Sequence, residues 1–169
     1  MGELVLVLDF GGQYKELIAG TVRGLSVYSE IRPGNMLVSE IKRLNPIAVI
    51  LTGGPNSVYS ADAPKCDAEL FELGIPVLGV CYGMQLMCGI LGGEAVPGEA
   101  GEYGHVQVTP DAPSRLFGGG SEPFYALMSH RDTVTRLPEN FIKTASTPNC
   151  IAACENTKKR LYGVQFHPE

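Results

Sequence analysis

The chain has 169 residues, 44% of them hydrophobic and 18% charged, with a formal net charge of -5. That length suffices for one domain with a sizeable core, and the acidic balance argues against a nucleic-acid-binding surface. No apolar run is long enough to span a bilayer, and the N-terminus has no basic segment with a small-residue cleavage site, so neither a membrane protein nor a secreted one is expected.

Residues 4–8, LVLVL, form a continuous apolar run and predict a central parallel strand. It ends in Asp9-Phe10-Gly11-Gly12-Gln13-Tyr14, followed by a helix over about 14–24. A phosphate-binding loop is the tempting reading of DFGGQY, but neither GxGxxG nor GxxxxGK[ST] is present, and a tight turn is expected instead. Residues 27–31 predict a second strand, 38–44 a short helix and 47–51 another buried strand. That strand runs into Thr52-Gly53-Gly54-Pro55, where backbone N–H groups can face a ligand. In an open parallel sheet ligands sit at that edge, although an ordinary turn reads the same way. A helix is predicted from Ala63-Pro64 to about Leu73.

The most informative stretch is 75–91, IPVLGVCYGMQLMCGIL. An apolar strand over 76–80 leads into a helical pattern, and between them lies Gly79-Val80-Cys81-Tyr82-Gly83. This is the Gly-x-nucleophile-x-Gly spacing of a nucleophile elbow, with Cys in the central place. The sharp strand-to-helix turn strains the central residue, and small neighbours let the backbones pass. The helix N-terminus favours a thiolate there, and the Tyr82 N–H is placed to bind an oxyanion. A buried core cysteine would satisfy the same local pattern. Cys88, two helical turns on, reads as core packing.

After Gly92-Gly93 the pattern changes to short apolar segments at 106–108, 125–128, 142–146, 151–153 and 161–166, with turn signals between them. The second half therefore predicts mostly strand, partly antiparallel. The chain ends in YGVQFHPE, residues 162–169. His167 and Glu169 are two apart, so in extended chain they point the same way, and Pro168 keeps His167 extended. A carboxylate beside an imidazole orients its tautomer and stabilises its cation, so Cys81, His167 and Glu169 read as nucleophile, base and orienter. His105 reads as a surface histidine. The five cysteines show no metal-ligand spacing: Cys150 and Cys154 lie four apart, with no second pair and no His nearby in sequence. Reduced thiols in a cytoplasmic protein and no metal site are expected.

GVCYG, GGP and a late HPE resemble the class-I, triad-type glutamine amidotransferase family. DFGGQY, VYSEI at 27–31, GGPNSVY at 53–59, EYG at 102–104, MSH-x-D at 128–132 and YGVQFHPE are similar to the GMP-synthase branch of that family. The resemblance covers essentially the whole chain. It implies an α/β, flavodoxin-like three-layer fold, with a mostly parallel central sheet and an additional antiparallel β portion in the second half. It also implies that Cys81 attacks the glutamine side-chain amide, that His167 relays protons and that Glu169 orients it. The Gly54 and Tyr82 N–H groups would form the oxyanion hole, and Gln85 with the backbone at Ser129 and His130 would hold the α-amino-acid end. No cofactor is implied in this domain. ATP and magnesium belong to an ATP-pyrophosphatase synthetase partner, domain or subunit, that would use the ammonia to aminate XMP to GMP.

Two features depart from the pattern. Arg131 stands where the branch usually has Gly, as MSHGD. The chain stops at Glu169 with neither a closing helix nor a synthetase part, so a domain truncated at its C-terminus, 1–169, is expected. Competing readings are an amidotransferase for anthranilate or carbamoyl phosphate synthesis, a flavodoxin-like Cys peptidase or γ-glutamyl hydrolase, and a non-enzymatic binding module.

Overall fold

A computed structural model describes residues 2–169. Its chain runs β1 (Leu4–Asp9), α1 (Lys15–Gly24), β2 (Tyr28–Pro33), α2 (Val38–Leu44), β3 (Ala48–Leu51), β4 (Val77–Val80), α3 (Tyr82–Ile90), β5 (Glu94–Pro110), β6 (Phe124–Arg136), β7 (Ile142–Ser146), β8 (Ile151–Asn156) and β9 (Leu161–Val164). The strands form one sheet in the order β2-β1-β3-β4-β9-β8-β7-β5-β6. Five neighbours, β2 to β9, are parallel; β8, β7, β5 and β6 continue antiparallel.

The alternation along β1 explains the layers. Leu6 and Leu8 face one side and pack with Ile41 of α2 and with Leu86 and Met87 of α3. Val7 faces the other and packs with Ile18 and Ala19 of α1. Both faces are covered, so the strand is apolar throughout, as a buried parallel strand must be. The antiparallel half closes around Val108, Met128, Ala153 and Val164, which reach Cys81 and Val80 at the end of β4.

Three boundaries differ from the sequence reading. The helix expected over 63–73 is only a turn of 3-10 helix, Ala68–Glu72. Asp67 is extended and its side chain accepts the Glu69 N–H at 2.9 Å, so the helical segment starts there, and Gly74 at φ 72° follows it. Strand β9 stops at Val164: the Gln165 N–H still donates to the Ala152 carbonyl opposite it, but the chain bends at residues 165 and 166 and the His167 N–H goes to the Leu127 carbonyl of β6 instead. Strands β5 and β6 are far longer than their apolar cores, pairing from Glu94↔Arg136 to Val108↔Phe124 with register shifts between Pro97 and Glu102. The Gly- and Pro-rich first half of β5 has little strand propensity of its own, and pairing with β6 holds it extended.

Candidate active site

The turn from β4 into α3 is an elbow. Cys81 has φ 51° and ψ -108°, a conformation that side-chain-bearing residues adopt only when the surroundings hold them there. Its N–H donates to the Val164 carbonyl at 2.8 Å, and its carbonyl accepts the Gln85 N–H at 3.1 Å. A Cβ on Gly79 would lie 2.6 Å from the Gly83 carbonyl carbon, and one on Gly83 would lie 2.4 Å from the Leu51 carbonyl oxygen. Both glycines are therefore required by close approach, which is the physical content of the pentapeptide spacing.

Strand β9 lies parallel to β4 with Val80 opposite Val164, so the residues after β9 run beside Cys81. His167 is held by the bridge to Leu127 in β6. Its Nδ1 lies 3.0 Å from Glu169 Oε1, with both side chains more than nine-tenths buried. Burial opposes the imidazolium and is the largest single influence on it. Hydrogen bonds and charges from Cys81 and Glu169 together outweigh burial and raise the His167 pKa to about 9. The Tyr14 ring stacks edge-on against His167, with centroids 5.4 Å apart.

Cys81 lies where two clefts meet. One, of about 260 Å³, is lined by Gly11 to Lys15, Gly53, Gly54, His167 and Glu169. The DFGGQY turn thus forms a wall of the site, a role that its missing phosphate signature had hidden. The other, of about 500 Å³, is lined by Gly54, Gln85, Ser129, His130, Arg131 and Asp132, among others. All the residues expected to hold glutamine meet there. The Tyr82 N–H opens α3, in the turn whose donors lack intrahelical partners. Gly54 is packed so closely that a Cβ would sit 2.4 Å from the Phe10 carbonyl oxygen and 3.5 Å from Tyr82 Cγ. Arg131 is exposed and is not among the positive-φ residues, so its place needs no glycine.

A second Cys, His and Glu meet elsewhere. Cys150, His130 and Glu102 bring ligand-type atoms within 4.8 Å of one another, although Cys150 has no His near it in sequence. These atoms satisfy each other: His130 Nε2 and Glu102 Oε2 are 2.9 Å apart, the Cys150 thiol donates to the same oxygen at 3.1 Å, and Thr147 donates to Oε1 at 2.7 Å. His130 Nδ1 is engaged too, donating to the Asp132 carbonyl at 2.9 Å. Burial pushes the Cys150 thiol up to about 12; Thr147 opposes this and Glu102 adds to it. Its donor types suit a zinc ion, but as it stands the cluster is a closed hydrogen-bonded knot. Sequence spacing had no signal for it, since pairing of β5 with β6 and the β7–β8 turn bring the three together.

Residues 6–169 match the family described as glutamine amidotransferase class-I. The glutamine-hydrolysing GMP synthase of Acetivibrio thermocellus is 56% identical over 168 residues, which cover 99% of this chain and 33% of that protein. That of a Clostridium botulinum strain is 51% identical, with the same coverage. The chain thus spans about a third of the length of these curated relatives. Among solved structures, a candidate GMP synthase component from Thermoplasma acidophilum superposes with a TM-score of 0.84 at 26% identity, over 99% of this chain and 85% of that one. A glutamine amidotransferase from Thermotoga maritima shares the fold, with a TM-score of 0.76 at 20% identity, over 99% of this chain and 76% of that one. A cysteine elbow facing a His–Glu pair, a family match over nearly the whole chain and a relative above half identity lead to one conclusion: the chain belongs to the class-I glutamine amidotransferase family.

Proposed function

We propose that residues 1–169 are one glutaminase domain, in which Cys81, His167 and Glu169 hydrolyse glutamine and supply ammonia to a synthetase. The observation that carries this reading is the strained Cys81 facing a buried His167 whose Nδ1 is 3.0 Å from Glu169. The Cys81 thiolate attacks the side-chain amide carbon. The oxyanion that forms is bound by the Tyr82 and Gly54 N–H groups. Protonated His167 gives its proton to the amide nitrogen, the C–N bond breaks and ammonia leaves. His167, now neutral, takes a proton from water as the oxygen attacks the γ-glutamyl thioester. Glutamate departs, and thiolate and imidazolium are restored. Gln85 with the Ser129 and His130 backbone holds the α-amino and α-carboxylate groups, in the larger cleft.

Cys150 is the rival nucleophile, and its surroundings disfavour it. Both ring nitrogens of His130 already have partners, and the Cys150 thiol sits against a carboxylate with its pKa near 12. Cys81→Ala therefore abolishes glutaminase activity in a folded chain, whereas Cys150→Ala retains it. Appreciable turnover in Cys81→Ala would remove Cys81 as nucleophile.

The relatives named GMP synthase favour an ATP-pyrophosphatase partner, with its ATP and magnesium, that aminates XMP to GMP in the cytoplasm. Adding such a synthetase with XMP, ATP and magnesium makes GMP from glutamine if the reading holds. Coupling to an anthranilate or carbamoyl phosphate synthase instead would overturn it. Among the described residues, no helix is long and apolar enough to cross a membrane.

A further inference from the structure

Gln165 is wholly buried just past the end of β9, and the triad chemistry gives it no part. Its Nε2 lies 3.5 Å from Cys81 Sγ, and its Oε1 lies 3.1 Å from Gln85 Nε2. Its backbone N–H is anchored on the Ala152 carbonyl at 2.8 Å. An amide side chain fits equally well in size when turned end for end, so its partners decide which end faces the sulfur.

They do so without ambiguity. One end of Gln85 lies 2.9 Å from the Asp132 carbonyl oxygen, which only accepts, so that end is the NH2. The second hydrogen of the same NH2 points at Gln165, so the facing atom of Gln165 is its oxygen. The free end of Gln165 is then its NH2, and that end faces Cys81. The Asp132 carbonyl is itself held by His130 Nδ1 at 2.9 Å, and His130 by Glu102. Gln85 thus donates both ways, back to the Asp132 carbonyl that the buried knot also holds and forward to Gln165, and Gln165 donates on to the nucleophile.

We propose that Gln165 is a catalytic residue of this domain, whose side-chain NH2 donates a hydrogen bond to the Cys81 sulfur, holds it as an aimed thiolate, and ties it to the Gln85 wall of the glutamine cleft. The inference rests on the reading of Cys81 as nucleophile. A thiolate is present before attack and again when the thioester is cleaved, and a donor that stays in place serves both steps. Gln165, His167 and Glu169 all lie in the short stretch that follows β9, which bends at residues 165 and 166 and meets β6 at His167, so a single stretch of chain delivers donor, base and orienter to the same site.

The test compares Gln165→Met, which keeps length without a donor, and Gln165→Glu, which keeps shape but sets a carboxylate against the sulfur. Folding is checked by circular dichroism. The rise of Cys81 alkylation rate with pH should be displaced to more alkaline pH in both variants, more in Gln165→Glu. Turnover should fall about ten- to a hundredfold, the usual worth of a hydrogen bond to a charged group, with KM changing less than kcat. A purely structural role would lower the melting temperature without moving the alkylation profile. In the unmutated chain, the Gln165 side-chain amide resonance should shift when Cys81 is alkylated, a readout that needs no substitution. A folded variant with alkylation profile and kcat like the wild type, or a Gln165 resonance indifferent to Cys81 alkylation, overturns the inference. Cys81→Ala run alongside separates the two readings. Activity surviving there defeats the nucleophile assignment, whereas a dead Cys81→Ala beside a wild-type-like Gln165 variant defeats the inference alone.

Discussion

Glu169→Gln should weaken the protein and its catalysis in a pH window set by His167. Glutamine keeps an oxygen able to accept from His167 Nδ1 at the observed 3.0 Å but removes the charge. In the intact chain burial opposes the imidazolium, while Cys81 and Glu169 more than compensate and raise its pKa from 6.5 to about 9. At 1.36 kcal/mol per pH unit this corresponds to about 3 kcal/mol of stability. Because the folded pKa lies above the unfolded one, that stability is fully present below about pH 6.5 and is lost as pH rises through about 9. Cys81 and Glu169 share the effect, so the substitution should cost roughly 1–2 kcal/mol at pH 6 and little at pH 10. It should also draw the alkaline limb of glutaminase activity down by about one pH unit, since the imidazolium is the acid that protonates the departing amide nitrogen. The assay is urea unfolding of both proteins at pH 6 and pH 10, with turnover measured across the same range. An equal loss of stability at both pH values, or an unmoved alkaline limb, would refute the argument that Glu169 acts through its charge on His167.

Gly83→Ala should destabilise the fold by about 1–3 kcal/mol in urea unfolding, because its Cβ would lie 2.4 Å from the Leu51 carbonyl oxygen and β3 backbone must move; a midpoint like the wild type would show that the elbow has slack. Thr52→Val should cost about 1–3 kcal/mol by leaving the Phe10 N–H, now 2.9 Å from Thr52 Oγ1, unpaired in the interior. It should also reduce turnover by loosening the turn that lines the smaller cleft, and unchanged stability and rate would separate that turn from the site.

How much of this was legible in the sequence varied with the range of the interaction involved. Residues 4–8 and 47–51 read as buried strands and 38–44 as a helix because apolar runs and periodicity act within one element, and the structure carries β1, β3 and α2 there. The elbow was legible because close backbone approach admits only glycine at 79 and 83, and the His167–Glu169 pair because alternate residues of an extended chain share a side. The long β5–β6 ribbon was not legible, since glycine and proline in its first half give no strand signal until β6 pairs with it. The expected helix over 63–73 shrank to one turn because Asp67 is held extended and caps it from there. The Glu102–His130–Cys150 knot and the reach of Gln165 to the Cys81 sulfur were decided by tertiary structure alone. Both depend on strand register: an offset of one residue would turn His130 or Gln165 to the opposite face, and no local pattern records which residue of a distant strand lies opposite.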